Sequence, residues 1–568
     1  MTASEAEQSG SLASGTAALP RLATAGRAAM RARVPGPALA GLLALAAYLA
    51  VFIICYAFTL LRHAGLPQIG QGQDDANFFA WSLRWWPYAI SHGLNPLYSR
   101  QIGAPAGFGL SWATTSPALG IIMWPVTAAF GSIVSLNLLM VASAPVSAWT
   151  AFLAARRLTG RFWAALAGGA VYGFSPYEIG HIGSGQANLA AIMLFPLMVY
   201  LALLWRDGKL SAPVFTGLLA IALAAEFYIF NEAFTEWTVL CAAALVIGFA
   251  LARPAQRRTV ARLAGLCAVA WAGALVLASP YIVYALAHYP PMFTRAIPAT
   301  SMNLNIVLAY PSGILLLVVL LALVLRTWSS RLTWLLVIMF VLIVALAMGP
   351  VAVAGSRQLG SVPWARLWSL PLARSAEPTR LTLFAYLVLA LAAALWLAAP
   401  LKDTLWLAVR WTIGVAAVAL VVAHVPYASA GSALPAAQSA AARPTHALPA
   451  FISSGMYRDY LRPGEIVVVV SDRGDAGMLF QADTDFYFRL AGGYINIALT
   501  DTSGLPAPVE RLINPTPALE QQFRVYIRQA GVGAILVEQA WSAPWMQVFS
   551  RMGLHGTPVG GMTLYRTG

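Results

Sequence analysis

About eleven long apolar runs dominate the sequence and constrain its fold more than any other feature. The first run, PALAGLLALAAYLAVFIICYAFTLL, has about 25 residues, which suffices to cross ~30 Å of hydrocarbon and exceeds the apolar region of a cleavable signal peptide. Hydrophobic residues form 59% of the 568-residue chain and charged residues only 10%, so an all-α polytopic membrane protein is predicted. The later predicted spans are 133–155, 162–177, 187–205, 211–227, 236–252, 263–287, 308–325, 333–354, 381–400 and 404–425.

Basic residues give the chain a net charge of +14, but they cluster in short segments between the apolar runs. The positive-inside rule accounts for such clusters, so we expect a lipid bilayer as partner and no nucleic acid. The three cysteines all fall within apolar runs, which gives no basis for a disulfide or a cysteine metal site.

The segment 116–131 is apolar but short, and charge decides its placement. As a helix it would rise only ~22 Å, less than the hydrocarbon thickness. If it does not cross, the basic clusters from Arg156 to Lys402 fall in the cytoplasm; if it crosses, all of them fall outside. We therefore expect a half-buried or re-entrant helix, and a first outer loop that runs from about 62 to 132.

The remaining sequence divides into a tail, a linker and a second domain. Residues 1–34 are expected to form a disordered cytoplasmic tail before the membrane domain at 35–427. A linker at 428–449, rich in Ala, Ser, Gly and Pro, leads to an extracytoplasmic domain at 450–568. In that domain the strand patterns EIVVVVS and GAILVE, a helix pattern before the second strand and a closing hairpin signal at Gly-Gly predict a small α/β fold.

Polar residues at the ends of the apolar runs fall on the outer side of this topology. They are Asp74, Asp75, Glu178, His181, Gln186, Glu226, Glu232, Glu236, Asn303, Asn305, Glu377 and Arg380. This one-sided distribution predicts a site that opens to the outer face. It argues against a transporter, whose polar groups lie near the bilayer midplane.

The first outer loop contains the segment QGQDDANFFAWSLRWWPYAI. Phe78, Trp81 and Trp85 recur at helical spacing, so one face of a helix is aromatic, and we expect it to lie along the bilayer surface. Asp74 and Asp75 then fall at the helix N-terminus, where one acid can cap free N–H groups. A second adjacent acid suffers like-charge repulsion unless a cation, a metal or a proton compensates it.

Several motifs follow one another along the chain. The first is Asp75, six residues before Trp81, followed by LRWWPYAISHGLNPLY and APAGFGLSWATTSP. The later ones are LAARRLTGR, GFSPYEIGHIGSGQANL, FNEAFTEW, LPLARSAEPTR and FQADTDFYFRLAGGY. Together they resemble the motifs of bacterial polytopic membrane glycosyltransferases of the GT-C superfamily. The resemblance implies an enzyme of the bacterial cytoplasmic membrane that uses a polyprenyl-phosphate-linked sugar donor and a glycan, lipid or protein acceptor at the outer face.

In that superfamily an acid in the first outer loop is the catalytic residue, and Asp75 occupies this place. A carboxylate can act as the base for an acceptor hydroxyl that attacks the sugar C1, with the lipid phosphate as leaving group. A single displacement of this kind inverts the anomeric carbon. Related sequences often carry an acid near SMNLN, where this chain has Asn303, so the resemblance does not extend to a second carboxylate there.

The leaving phosphate develops charge that an arginine, a metal or a helix N-terminus can stabilise. Arg380 is the first candidate, with Arg84 and Arg295 as the others, although Arg380 is equally well explained as an interfacial anchor. Alternatively, Asp74 and Asp75 bind Mg²⁺ or Mn²⁺ through their carboxylate oxygens.

Three residues are candidates for supporting roles. Asp74 either caps the helix or assists Asp75, and Glu232 is either a solvated cap or a contact to acceptor or metal. His181 is either a hydrogen-bonded structural residue or a catalytic group. Two other classes of protein stay open: a non-catalytic GT-C-like scaffold or glycan-binding protein, and a lipid-linked glycan transporter or polymerase.

Overall fold

A computed structural model describes most of the chain. It covers residues 36–57, 68–69, 74–288, 311–354, 357–362, 365–366, 376–401, 403–423, 448–471, 476–493, 517–539 and 542–568. The predicted tail at 1–34, nearly all of the predicted linker at 428–449, Arg295 and Asn303 lie outside the described residues.

Helices make up most of the described structure. They are α1 (Pro37–Phe52, continued by a π-helical turn Ile53–Ala57), α2 (Asp74–Ser91), α3 (Pro117–Ile122), α4 (Trp124–Thr159), α5 (Phe162–Gly173), α6 (Pro176–Gly183), α7 (Ala187–Ala190), α8 (Leu194–Arg206), α9 (Ala212–Ile229), α10 (Asn231–Leu251), α11 (Pro254–Ala287), α12 (Pro311–Arg326), α13 (Arg331–Ala347), α14 (Thr382–Ala398, preceded by a 3-10 turn Pro378–Leu381), α15 (Thr404–Ala423), α16 (Ala450–Ser453), α17 (Tyr457–Tyr460), α18 (Ala476–Asp483), α19 (Pro517–Ala530) and α20 (Ser542–Arg551).

Every predicted span overlaps at least one of these helices, which confirms the multi-pass architecture, although 162–177 and 187–205 are each divided between two helices. In the described part of the chain, eight spans are long and apolar enough to cross a membrane, and three further apolar helices are shorter. The prediction for 333–354 is wrong at its end, because α13 stops at Ala347 and Val351–Ala354 forms a strand. Hydrophobicity alone does not show whether the apolar residues 351–354 continue the helix or form a strand.

The ambiguous segment 116–131 does not form one membrane-length helix. It contains the short helix α3 and the first turns of α4, and the helical path breaks at Gly131, where φ is 83° and ψ is 171°. A positive φ costs glycine little, so this residue permits the break. The long part of α4 that follows contains the predicted span 133–155.

Small residues bring α5 close to its neighbours. A Cβ atom on Gly169 would collide with the Tyr48 hydroxyl and would lie 2.5 Å from the Ala148 carbonyl oxygen. The Tyr48 hydroxyl uses this proximity to donate to the Leu166 carbonyl at 2.8 Å. Close helix packing through small residues is a common way to associate helices inside a bilayer.

The predicted basic clusters meet at one end of the helix bundle. Arg157 pairs with Asp207 at 2.7 Å, and Arg331 donates to the Leu251 carbonyl. These contacts join loops that the charge argument assigns to a common side of the membrane. The first turn of α2 lies at the other end, because the Ile69 N–H shortly before it donates to Asn137, twenty residues before Arg157 on α4, and the C-terminal domain contacts α2.

Nine strands complete the described structure. They are β1 (Tyr98–Ser99), β2 (Phe108–Gly109), β3 (Val351–Ala354), β4 (Arg357–Ser361), β5 (Ile466–Val470), β6 (Arg489–Leu490), β7 (Ala534–Glu538), β8 (Gly556–Val559) and β9 (Met562–Arg566). The last five form one sheet in the order β6-β5-β7-β9-β8, with β5 parallel to both β6 and β7. The two predicted strands, the helix between them and the closing hairpin are all confirmed.

Both faces of strand β5 are buried. Alternate residues of β5 point to opposite sides: Val468 and Val470 contact a core formed with α19 and α20, whereas Val467 and Val469 belong to the large core that continues into the membrane domain. The near-continuous apolar run in β5 is therefore explained by two covered faces.

The aromatic face of α2 packs against the C-terminal domain. Trp81 is 0% exposed, and the rings of Trp81 and Trp85 lie 5.9 and 5.6 Å from the ring of Phe486. The expectation that these rings lie on the bilayer surface is wrong. Helical spacing identifies an apolar face, but it does not identify what covers that face.

Candidate active site

The acidic pair begins helix α2, as the sequence predicts. Asp75 is half-buried, whereas the side chain of Asp74 lies outside the described residues. The Asp75 Oδ2 atom accepts a hydrogen bond from Gln186 Nε2 at 2.6 Å. Its Oδ1 atom has no hydrogen-bond partner among the described residues. One oxygen is thus fixed while the other is available to a substrate.

Gln186 links Asp75 to His181. The amide oxygen of Gln186 lies 2.5 Å from His181 Nδ1. Because this oxygen can only accept, His181 must carry a proton on Nδ1. The ring of Tyr177 packs edge-on against the imidazole at a centroid distance of 4.4 Å. The result is a hydrogen-bonded chain of three side chains that ends at the carboxylate.

A glycine turn brings Gln186 to the start of α2. Gly185 has a φ of +69°, and a Cβ atom there would lie 2.5 Å from the Ala76 Cβ and 2.9 Å from the Ile69 carbonyl oxygen. Any larger residue would push α6 and α7 away from α2. The preceding helix α6 is fixed at its start by Ser175, whose hydroxyl accepts from the Glu178 backbone N–H at 3.3 Å.

His181 is neutral at ordinary pH. Its pKa is lowered from 6.5 to about 4, chiefly by burial and in part by the charge of Arg380, while Gln186, Glu377 and Asp75 oppose the shift. A neutral imidazole with its proton on Nδ1 is suited to orient Gln186. The charges of Asp75, Arg380 and Glu377 all act on this one ring, so the structure brings these sequence-predicted residues into one region.

Arg380 lies in an ion-pair cluster with two acids. Its Nη1 atom bonds to Glu232 Oε2, and its Nη2 atom lies 3.1 Å from Glu377 Oε2. Glu232 Oε1 also accepts the Glu377 backbone N–H at 2.7 Å. The guanidinium carbon sits 5.2 Å from the centroid of the Phe230 ring. These contacts fix the guanidinium at the same end of the bundle as Asp75.

The other two arginine candidates are placed differently. Arg84 pairs with Asp485 of the C-terminal domain, with its Nη2 and Nε atoms at 3.0 and 3.1 Å from Oδ1. Arg295 lies outside the described residues. A role in phosphate binding stays a prediction for both.

The described side chains do not by themselves form a metal site. Within the described ranges, no three His, Cys, Asp or Glu side chains cluster in an arrangement that could hold a metal ion. The Asp75 oxygen that is fixed accepts from an amide donor, which a cation would have to displace. Binding of Mg²⁺ or Mn²⁺ by Asp74 and Asp75 therefore stays a prediction that depends on the Asp74 side chain.

Three residues of this site received no role from the sequence. They are Gly185, Gln186 and Glu377. Gly185 and Gln186 stand in the motif GSGQ, which begins two residues after His181, so a tight turn there is readable in the sequence. Nothing in the sequence pairs Gln186 with a residue 111 positions away.

Solved structures of membrane transferases share this fold. The arabinofuranosyltransferase AftD from Mycobacteria matches with a TM-score of 0.58 and 15% identity, over 93% of this chain and 40% of AftD. The oligosaccharyltransferase AglB from Archaeoglobus fulgidus, in complex with an inhibitory peptide and a dolichol-phosphate, matches with a TM-score of 0.52 and 11% identity, over 93% of this chain and 74% of AglB. No protein-family model matches the chain, and no curated protein matches it either.

These likenesses show the fold. The chain is a polytopic membrane protein whose fold is similar to that of AftD and AglB. It spans less than half the length of AftD.

Proposed function

We propose that this chain is a membrane glycosyltransferase that moves a sugar from a polyprenyl-phosphate-linked donor to an envelope glycan, lipid or protein, with Asp75 as the catalytic base. The observation that carries the proposal is the half-buried Asp75 carboxylate in the first turn of α2. One of its oxygens is held by Gln186 and the other has no hydrogen-bond partner among the described residues. A base must be held rigidly and yet reach the proton it removes.

The chemistry requires one carboxylate. The free oxygen of Asp75 accepts the proton of the acceptor hydroxyl as the hydroxyl oxygen attacks C1 of the sugar. The bond from C1 to the phosphate oxygen breaks, and polyprenyl phosphate leaves with the electron pair. One displacement gives inversion at C1. Neutral His181 holds Gln186, and Gln186 fixes the orientation of the carboxylate.

Arg380 is the proposed ligand of the donor phosphate. Its partner Glu232 has a side chain that is 16% exposed, whereas the side chain of Glu377 is 40% exposed. Exposed ion pairs contribute little free energy, so a phosphate can replace Glu377 while Glu232 continues to hold the guanidinium. The arginine would then stabilise the charge that develops on the leaving group.

The location follows from the same topology. We place the protein in the bacterial cytoplasmic membrane with its N-terminus in the cytoplasm and its C-terminal domain outside. The contacts between the basic loops at the end of the bundle away from Asp75 support this orientation. AglB was solved with dolichol-phosphate, a lipid carrier of the proposed kind, which supports the donor class.

The test uses the purified full-length chain in phospholipid vesicles. A panel of radiolabelled polyprenyl-phosphate hexoses and pentoses is supplied together with an envelope extract as acceptor. We expect one donor to be consumed, with label in the extract and an inverted anomeric configuration in the product. If the folded protein binds polyprenyl phosphate but consumes no donor of the panel, the scaffold or glycan-binding alternative is favoured instead.

A further inference from the structure

The C-terminal domain contacts the helix that carries Asp75 through a side chain that is fully buried. Gln481 of α18 is 0% exposed and accepts a hydrogen bond from the indole Nε1 of Trp81 at 2.7 Å. Its Nε2 atom donates to the carbonyl oxygens of Gln101 and Phe488 at 2.7 and 2.9 Å. A single amide therefore joins α2, the following loop and the C-terminal domain.

Backbone hydrogen bonds reinforce this connection at the edge of the sheet. The Leu490 N–H donates to the Gln101 carbonyl at 2.7 Å, and the Ala104 N–H donates to the Leu490 carbonyl at 2.9 Å. The Gly103 N–H donates to the Gly492 carbonyl at 2.9 Å. Because β6 is an edge strand, its backbone groups would otherwise need water, and the loop after α2 satisfies them instead.

A strained residue completes the contact. Phe486 has a φ of +58°, a conformation that non-glycine residues rarely adopt. Its ring packs between the rings of Trp81, Trp85 and Tyr88, with the Tyr88 centroid at 4.5 Å. Such a conformation persists only where surrounding contacts hold it. The interface between α2 and the C-terminal domain is therefore a specific, tightly packed contact.

We propose that the C-terminal domain is a positioning element for the active site and that Gln481 is its positioning residue. Trp81 lies six residues after Asp75, about 9 Å along the helix axis, so fixing the indole fixes the first turn. Gln186 holds Asp75 from one side, and Gln481 holds its helix from the other. This inference rests on the proposed function for its catalytic consequence, but the positioning itself is measurable without any substrate.

Amide hydrogen exchange on the full-length chain in vesicles tests the positioning directly. In Gln481→Leu, which removes all three hydrogen bonds, we expect exchange of the Gly103 and Ala104 amides and of the amides at 78–81, the first in α2 with acceptors inside the helix, to rise about tenfold or more. In Trp81→Phe, which keeps a ring but removes the indole N–H, we expect a smaller rise at the same sites. Unchanged exchange there in both variants would overturn the proposal.

A control variant and the second substitution keep the exchange experiment interpretable. Glu520→Gln is the matched control, because Glu520 pairs with Arg524 and Arg551 on α19 and α20 of the same domain; it should leave exchange in α2 unchanged. If Gln481→Leu unfolds the domain, Trp81→Phe alone decides. An equal rise in α2 with Glu520→Gln would also overturn the proposal, because α2 would then respond to any weakening of the domain.

The donor-transfer assay separates this inference from the proposed function. We expect kcat to fall about tenfold or more in Gln481→Leu, with the donor KM changed far less, because the lost contact acts on Asp75 and not on the donor. A wild-type chain that consumes no donor would contradict the proposed function and leave the exchange result to decide the positioning. A wild-type kcat in Gln481→Leu would overturn the catalytic part of the inference.

Discussion

Gln186 donates its side-chain amide to Asp75 at 2.6 Å although the two residues are 111 positions apart in the sequence. This bond joins the first turn of α2 to the turn between α6 and α7. It fixes one carboxylate oxygen of Asp75 and so sets the direction in which the other oxygen points. The proposed role of Asp75 as the base depends on this hydrogen bond.

Removing the amide should slow the reaction. A hydrogen bond to a charged group contributes about 1.5–3 kcal/mol, so the transfer rate should fall about 10- to 100-fold in Gln186→Leu. In Gln186→Glu the side chain keeps its length, but the new carboxylate repels Asp75 and donates no hydrogen bond to it, so the rate should fall at least as far. The measurement is the initial transfer rate of both variants. Rates like that of the wild type in both variants would contradict a role for Gln186.

A Cβ atom at Gly185 should disturb the same contact from the backbone. Gly185→Ala places a methyl 2.5 Å from the Ala76 Cβ at a positive φ. The left-handed conformation alone costs about 1–2 kcal/mol, and the turn must also move away from α2. We expect Gly185→Ala to lower the Tm. Its transfer activity should fall by more than the loss of folded protein accounts for.

Gly180→Ala is the matched control for this variant. Gly180 lies in α6, and a Cβ atom there would meet nothing within 4 Å. It should be neutral or slightly stabilising, because alanine favours helix more than glycine does. Equal loss of activity in the two variants would remove the special role of the Gly185 turn.

The pKa of His181 predicts a pH dependence of stability. The unfolded chain binds a proton at this residue below pH 6.5, whereas the folded chain does so only below about 4. The free energy of unfolding therefore has a contribution from His181 that is present above pH 6.5 and is lost as the pH falls towards 4. Thermal melts of the wild type and His181→Phe across this window measure it. The variant should show the shallower dependence, and parallel curves would contradict the shifted pKa.

The two acids that bind Arg380 should differ in their effect on stability. Removing one partner of a buried ion pair costs about 3–5 kcal/mol, and the partial exposure of Glu232 reduces our expectation to about 2–3 kcal/mol for Glu232→Gln. Glu377→Gln should cost about 0–1 kcal/mol, because that pair is more exposed. Denaturation of both purified variants gives the comparison. A larger cost for Glu377→Gln than for Glu232→Gln would contradict the proposal that the phosphate replaces Glu377 while Glu232 continues to hold Arg380.

The membrane architecture could be predicted because hydrophobicity is a local property of each span. The length of each apolar run locates its helix. The positive-inside rule assigns the basic clusters around Arg157 and Arg331 to one side of the membrane, and this assignment needs no contact between the loops. In the C-terminal domain, apolar runs located β5 and β7. Prediction from hydrophobicity fails at the end of 333–354, where the last apolar residues form a strand. Tertiary context decides between helix and strand for such short segments.

The site could be predicted only in its outline. The acid doublet and its position at a helix start were readable in the sequence, and so was the aromatic face that includes Trp81. The partners of these residues were not, since Gln186 and Gln481 are separated from them by more than 100 positions and carry no local pattern. Burial of the aromatic face against Phe486 is likewise a tertiary event that helical periodicity cannot specify.

The most direct measurement for the central claim is the turnover of Asp75→Asn in vesicles. Asparagine keeps the size of the side chain and an oxygen that can accept from Gln186, but it cannot take the acceptor proton. We predict that kcat falls about 10³-fold or more while binding of polyprenyl phosphate and the Tm stay near wild type. Asp207→Asn, which makes the same change at the opposite end of the bundle, should leave kcat unchanged. Transfer by purified Asp75→Asn at the wild-type rate would contradict the assignment of Asp75 as the base.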